Sequence, residues 1–113
     1  GTHSTESVDY PEICAGVART VVEGRAERGI VLGGSGQGEQ IAANKVPGVR
    51  AALVWNTDTA QLARQHNDAN VICISGRFVS DEDNKKIVKT FLETEFEGGR
   101  HEGRVNKISA LEA

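Results

Sequence analysis

Methionine is absent from this 113-residue sequence, cysteine occurs twice, and no apolar run approaches the roughly 20 residues that cross a bilayer as a helix. A membrane-spanning helix is therefore excluded. Long basic runs are missing too, and the formal net charge is -3, so nothing here is built to follow the polyanionic backbone of DNA or RNA. A local pair of arginines can still hold a small phosphate. Cys14 and Cys73 form no CxxC and no spacing that implies zinc. With no signal peptide in the sequence, they are expected to stay reduced in the cytoplasm and to pack as small apolar groups. The lack of methionine, in a chain that opens at Gly1 in a loop, is expected of a processed or shortened chain; removal of an initiator methionine before glycine gives the same opening. No internal repeat, low-complexity tract or linker interrupts the sequence.

What is present is an ordinary globular composition, 38% hydrophobic and 26% charged, in a length that fits one domain over residues 1–113. A polar loop over residues 1–9 leads to a helix starting at Tyr10-Pro11-Glu12, since proline suits a first helical turn. Ile13, Val17 and Val21 give that helix an apolar face, and Gly24 ends it. Gly29 to Leu32 reads as a strand opening into a glycine-rich loop, with a short helix from Gln40 to Lys45. Val49 to Trp55 reads as a second strand, followed by Asn56, Thr57 and Asp58 as capping candidates and a helix through about Gln65. Val71 to Ser75 is a third strand, apolar on both faces as in a covered parallel sheet. Ser80 or Asp81 caps a helix striped with Ile87, Val88, Phe91 and Leu92. After Gly98-Gly99, Val105, Ile108 and Leu111 mark a last helix. Alternating strands and helices predict an α/β layered fold with a parallel sheet. Three strands fall short of the roughly five or six of a typical sheet, and one further βαβ unit of ~30 residues would complete the layer.

The loop Gly33-Gly34-Ser35-Gly36-Gln37-Gly38 begins like a nucleotide-phosphate loop, but Glu39-Gln40 stands where lysine and serine would hold phosphate and magnesium. It also lacks the third glycine of a dinucleotide fingerprint. What remains is a run of backbone N–H groups at a helix start, a nest suited to a developing oxyanion. Glu39 beside it has the chemistry of a base that takes a carbon-bound proton next to a carbonyl while the amides hold the enediolate. The plainer alternative is that Glu39 complements the helix dipole and the glycines make a tight turn.

Other polar clusters are weaker. RQHND, residues 64–68, is expected on the loop before the third strand; His66 can move protons near neutral pH with Asn67 as a neutral companion, or be an inert surface residue. Arg77 follows the third strand, where α/β folds place ligands. Arg100 and Arg104 stand four apart, so on a helix they share a face that either clamps a phosphate or meets solvent and glutamates. Asp9 and Tyr10 either cap and staple the first helix or reach into a pocket.

Taken together, DYPEICA, VLGGSGQGEQIAANKVPGVRAAL, RQHND, SGR and GGRHEGRV resemble, in order and spacing, the type B ribose-5-phosphate isomerases of the RpiB/LacA/LacB sugar-phosphate isomerase family. The resemblance runs through essentially the whole chain. It implies a three-layer α/β/α Rossmann-like parallel sheet and an aldose-ketose isomerase that works through a cis-enediolate with no cofactor and no metal. The implied partner is a phosphorylated sugar, and the implied assembly is a homodimer or tetramer whose sites draw on two subunits. By position, Glu39 matches the proton-transferring base, Ser35 a hydroxyl near the sugar, and Gly34, Gly36 and Gly38 the amide nest. His66 matches the residue that assists furanose opening and Asn67 a substrate contact. Arg77, Arg100 and Arg104 match phosphate-binding arginines, and Tyr10 a pocket-lining tyrosine. Some members use a cysteine at the position of Gly33, which places this sequence in the glutamate-using branch. Members begin with a strand carrying an Asp-His pair, and that first βαβ unit has no counterpart here. Two alternatives follow: a non-catalytic sugar-phosphate-binding or partner subunit, and an isomerase for another phosphorylated sugar.

Overall fold

The computed structural model describes residues 1–112. Three parallel strands, β1 (Gly29–Gly33), β2 (Ala51–Leu53) and β3 (Val71–Ser75), form one sheet in the order β1-β3-β2. Gly29 pairs with Val71 and Gly33 with Ser75, while Ala51 to Leu53 lie beside Val71 to Cys73. β3 is therefore central and buried at every residue, as its unbroken apolar run predicts. Alternate side chains of β3 feed two cores. Val71 and Cys73 pack with Val31, Cys14, Ala18 and Ala43 beneath α1 (Tyr10–Val22) and α2 (Gln37–Ala43). Ile72 and Ile74 pack with Ala60, Ala63, Ile87 and Phe91 beneath α3 (Thr57–Asn67) and α4 (Asp81–Glu93). The result is the expected α/β/α layering. A fifth helix, α5 (Arg100–Ala110), lies against α3. No helix among the described residues is long and apolar enough to cross a membrane.

Local chemistry sets the boundaries. Pro11 sits in the first turn of α1, and Gly24, at φ +79°, closes the helix end with its N–H donating to Val21 O. Asn56 caps α3 by accepting from Thr59 N at 2.8 Å, and Ser80 caps α4 by accepting from Asp83 N at 3.1 Å.

Several expectations are corrected. The buried face of α1 is Cys14, Ala18 and Val21, because the helix turns its small residues to the sheet; Ile13 and Val17 are only half-buried. α2 begins at Gln37 rather than Gln40, so Glu39 lies inside its first turn. β2 is shorter than Val49 to Trp55, because Val49 N donates to Val46 O in a turn and the Trp55 indole swings to Ser35 O. α3 runs to Asn67, so RQHND is the last turn of a helix and its C-cap. Leu92, Ile108 and Leu111 are exposed rather than packed, and in α5 it is His101 that is buried beside Val105.

β1 is one edge of the sheet. Only β3 pairs with it among the described residues, and Ile30 and Leu32 are exposed along it. Hollows of about 350 Å³ on the α1 side and about 370 Å³ on the α4 side flank this edge.

Candidate active site

The glycine loop leaves the carboxyl end of β1 beside the carboxyl end of β3, and β3 fixes it through its carbonyls. Ser75 Oγ donates to Gly34 O at 2.6 Å, Gly76 N to Gly33 O at 2.9 Å and Arg77 N to Gly34 O at 3.1 Å. Trp55 Nε1 adds a bond to Ser35 O at 3.2 Å. Gly36 takes φ +88°, a left-handed conformation that turns the chain into α2, and a Cβ there would press on Leu53 and Ile74 O. The Ser35 hydroxyl accepts from Gln37 N at 3.2 Å, which braces the same turn.

Three other loop glycines are spaces for named side chains. A Cβ on Gly33 would overlap the Glu39 carboxylate, one on Gly38 would overlap the Tyr10 phenol, and one on Gly34 would lie 3.3 Å from Arg77 Nη2. Glu39, Tyr10 and Arg77 thus converge on bare backbone. Glu39 and Tyr10 also line the hollow at the β1 edge, with Ile13, Cys14, Val17 and Leu32. The charge of Glu39 is felt at both cysteines. Burial and then Glu39 push Cys14 up, while burial, Cys14 and Glu39 push Cys73 up to about 12. Both thiols are free and buried, as expected of small apolar packing groups.

The remaining expected residues lie elsewhere. His66 and Asn67 end α3 just before β3 begins, so the length of that strand, roughly 13–17 Å, separates them from the glycine loop. Arg64 and Asp68 of the same motif are scaffold. Arg64 is buried and donates to Asp68 Oδ1 and Ala69 O at 2.7 Å and to Thr94 O at 3.0 Å. Asp68 takes φ +47°, a left-handed cap that aspartate tolerates, and accepts a second arginine, Arg50, at 3.3 Å. This clamp holds His66 against α5, where its ring stacks on His101 with centroids 4.2 Å apart and planes 13° apart. Arg100 and Arg104, exposed and one turn apart on α5, flank His101. Its proton affinity is lowered by burial first, then by His66, Arg100 and Arg104, against the pull of Glu97.

One chain therefore gathers Glu39, Ser35, Tyr10, Arg77 and the glycines at one end of the sheet, and His66, Asn67, Arg100 and Arg104 at the other. Sequence reasoning missed Ser75, Trp55, Phe78 and His101. A small hydroxyl ending an apolar strand was a signal for Ser75, and a histidine between two arginines for His101. Nothing in the sequence marked Trp55 and Phe78, which stack at 5.4 Å beside the loop.

The sequence matches the Ribose/Galactose Isomerase family over residues 1–108. The chain belongs to this family. It is 52% identical over 104 residues to the probable ribose-5-phosphate isomerase B of Mycoplasma pneumoniae, covering 92% of this chain and 68% of that one. It is 46% identical over 112 residues to ribose-5-phosphate isomerase B of Escherichia coli, covering 99% and 75%. Among solved structures, type B ribose 5-phosphate isomerase of Trypanosoma brucei superposes with a TM-score of 0.95 at 51% identity, covering 98% of this chain and 75% of that one. Ribose-5-phosphate isomerase B of Mycoplasma genitalium with bound ribulose-5-phosphate superposes at 0.93 and 48% identity, covering 99% and 75%. The chain thus spans about two thirds to three quarters of these relatives' length. A side chain at position 33 would fill the space that the Glu39 carboxylate takes.

Proposed function

We propose that this chain is an aldose-ketose isomerase domain, spanning residues 1–113, that interconverts ribose 5-phosphate and ribulose 5-phosphate in the reducing cytoplasm. The observation that carries the reading is the Glu39 carboxylate, laid against the Cα of Gly33 in a glycine loop whose carbonyls are tied back to β3. In this reading Glu39 takes the proton from C2 of the open-chain aldose. The C–H electrons form a C1–C2 double bond, and the carbonyl oxygen becomes an enediolate oxygen held by amides of Gly34, Gly36 and Gly38. Returning the carbon proton to C1, with transfer of the O2 proton to the enediolate oxygen on C1, gives the ketose. Ser35 and Tyr10 border the sugar, and Arg77 faces it from the end of β3.

His66, Asn67, Arg100 and Arg104 complete the site from a second subunit, His66 assisting furanose opening and the arginines binding phosphate. The separation of the two groups within one chain supports this homodimeric arrangement. The bound ribulose-5-phosphate in the Mycoplasma genitalium relative supports the substrate. The test is Glu39→Gln, which abolishes exchange of the substrate C2 proton with solvent while leaving phosphate-ligand binding largely intact. A variant with near-normal exchange would sink the role. The open edge of β1 beside Glu39 favours one second reading, a sugar-phosphate-binding subunit without turnover; wild-type chain that binds ribose 5-phosphate yet exchanges no C2 proton would decide for it.

A further inference from the structure

We propose that His66, Glu97 and His101 form a site for a divalent transition metal of the zinc class. One donor atom from each lies within 4.8 Å of the others. Two imidazoles and a carboxylate form a donor set that zinc accepts with its fourth position left to water, whereas calcium and magnesium prefer all-oxygen shells. Proximity alone would be weak, but His101 supplies an independent sign. Its side chain is 5% exposed, and its Nε2 has no hydrogen-bond partner among the described residues. A buried ring nitrogen without a partner is costly and rare. The nearest carboxylate oxygen, Glu97 Oε1, stands 3.7 Å away. That is too long for a hydrogen bond, but close to the roughly 3.3 Å between two donors each about 2.0–2.1 Å from one tetrahedral ion.

The backbone holds these donors together before any ion arrives. Glu97 N donates to Gln65 O at 3.1 Å, fastening its segment to the turn that carries His66, and His101 N donates to Gly98 O at 3.1 Å at the start of α5. The parallel rings of the His66–His101 stack do not themselves point at a common centre. Ligation requires His66 to leave the stack by a side-chain rotation, which its half-exposed position in the last turn of α3 permits. Neutral imidazole is the ligand form. The consequence, which rests on the proposed role of His66, is regulatory: an ion that captures this ring withdraws it from furanose opening, so zinc acts as a reversible brake rather than a cofactor.

Calorimetric titration of the chain with zinc chloride, in a buffer free of chelators at neutral pH, tests the site. One zinc per chain is expected, with affinity falling at least about tenfold in Glu97→Gln and in His101→Gln, since even changes outside the ligand shell cost that much. Absence of binding, or equal affinities in wild type and Glu97→Gln, overturns the site. Glu97 is exposed, so its variant remains informative even where His101→Gln fails to fold. In an isomerase assay zinc should slow wild type, a chelator should restore it, and Glu97→Gln should need about tenfold more zinc for the same slowing. Full turnover with zinc bound overturns the brake. Failure of the isomerase reading itself is seen separately, as normal C2 proton exchange by Glu39→Gln without metal.

Discussion

The Glu39 carboxylate lies in the space that a Cβ on Gly33 would fill, so a single methyl at position 33 would displace it. Gly33→Ala is therefore expected to fold, because a flexible side chain can swing aside, and to lose about 100-fold or more in C2 proton exchange, the cost of moving a catalytic group by ~1 Å. Exchange measured by NMR in deuterated water, beside a thermal melt, separates the effects. Wild-type exchange in this variant would show that Glu39 acts from another position.

Ser75 ties the glycine loop to the sheet. Its hydroxyl donates to Gly34 O and accepts from Phe78 N at 2.9 Å, and its carbonyl accepts from Asn84 Nδ2 at 2.7 Å. Ser75→Ala removes the first two bonds in a buried setting and should cost about 1–3 kcal/mol of stability. Urea unfolding checks this; a loss of only a few tenths would mean that the loop is held by its backbone bonds alone.

Arg64 belongs to the RQHND motif yet acts as a strut. Arg64→Met leaves two carbonyls and part of the Asp68 carboxylate without their donor, and a loss of about 2–4 kcal/mol is expected. Arg25, whose ion pair with Glu23 is at the surface, is the control: Arg25→Ala should stay within about 0.5 kcal/mol of wild type. Equal losses in the two variants would remove the strut.

The contrast shows what could be read in advance. The layered fold and its parallel sheet were legible because β3 is apolar on both faces and glycines, prolines and caps punctuate the helices. The loop's departure from phosphate-binding patterns was legible because an acid follows four glycines where such patterns place lysine or a further glycine. The helical state of His66 was not, since it depends on Arg64 bonding across to Thr94 and on Asp68 accepting a left-handed cap, both tertiary events. The packing of α5 was misjudged for a related reason: its apolar spacing named Ile108 and Leu111, but contact with α3 selected His101 and Val105.

Cys73 gives a pH-dependent prediction. Burial first, then Cys14 and Glu39, raise its folded value from 9.0 to about 12. The folded state holds this proton more tightly, so the stabilisation is full below 9.0 and is lost as pH rises from there towards about 12. Cys73→Ala should flatten that part of the stability curve. In the native protein at about pH 8 the thiol should resist an aromatic disulfide reagent and react at once in urea. Rapid native reaction would contradict the burial.

The division of site residues between the two ends of one chain makes subunit mixing informative. Glu39→Gln and His66→Ala should each be inactive alone, through loss of the base in one and of ring opening in the other. In a mixed dimer, one site carries both substitutions and the other carries neither. Random reassociation should then restore about a quarter of wild-type sites, since about half the dimers are mixed and each holds one intact site. Mixing after denaturation, with mass spectrometry to count mixed dimers, relates activity to their number. If mixed dimers form and no activity returns, His66 and Glu39 do not meet across a subunit boundary, and the composite site is wrong.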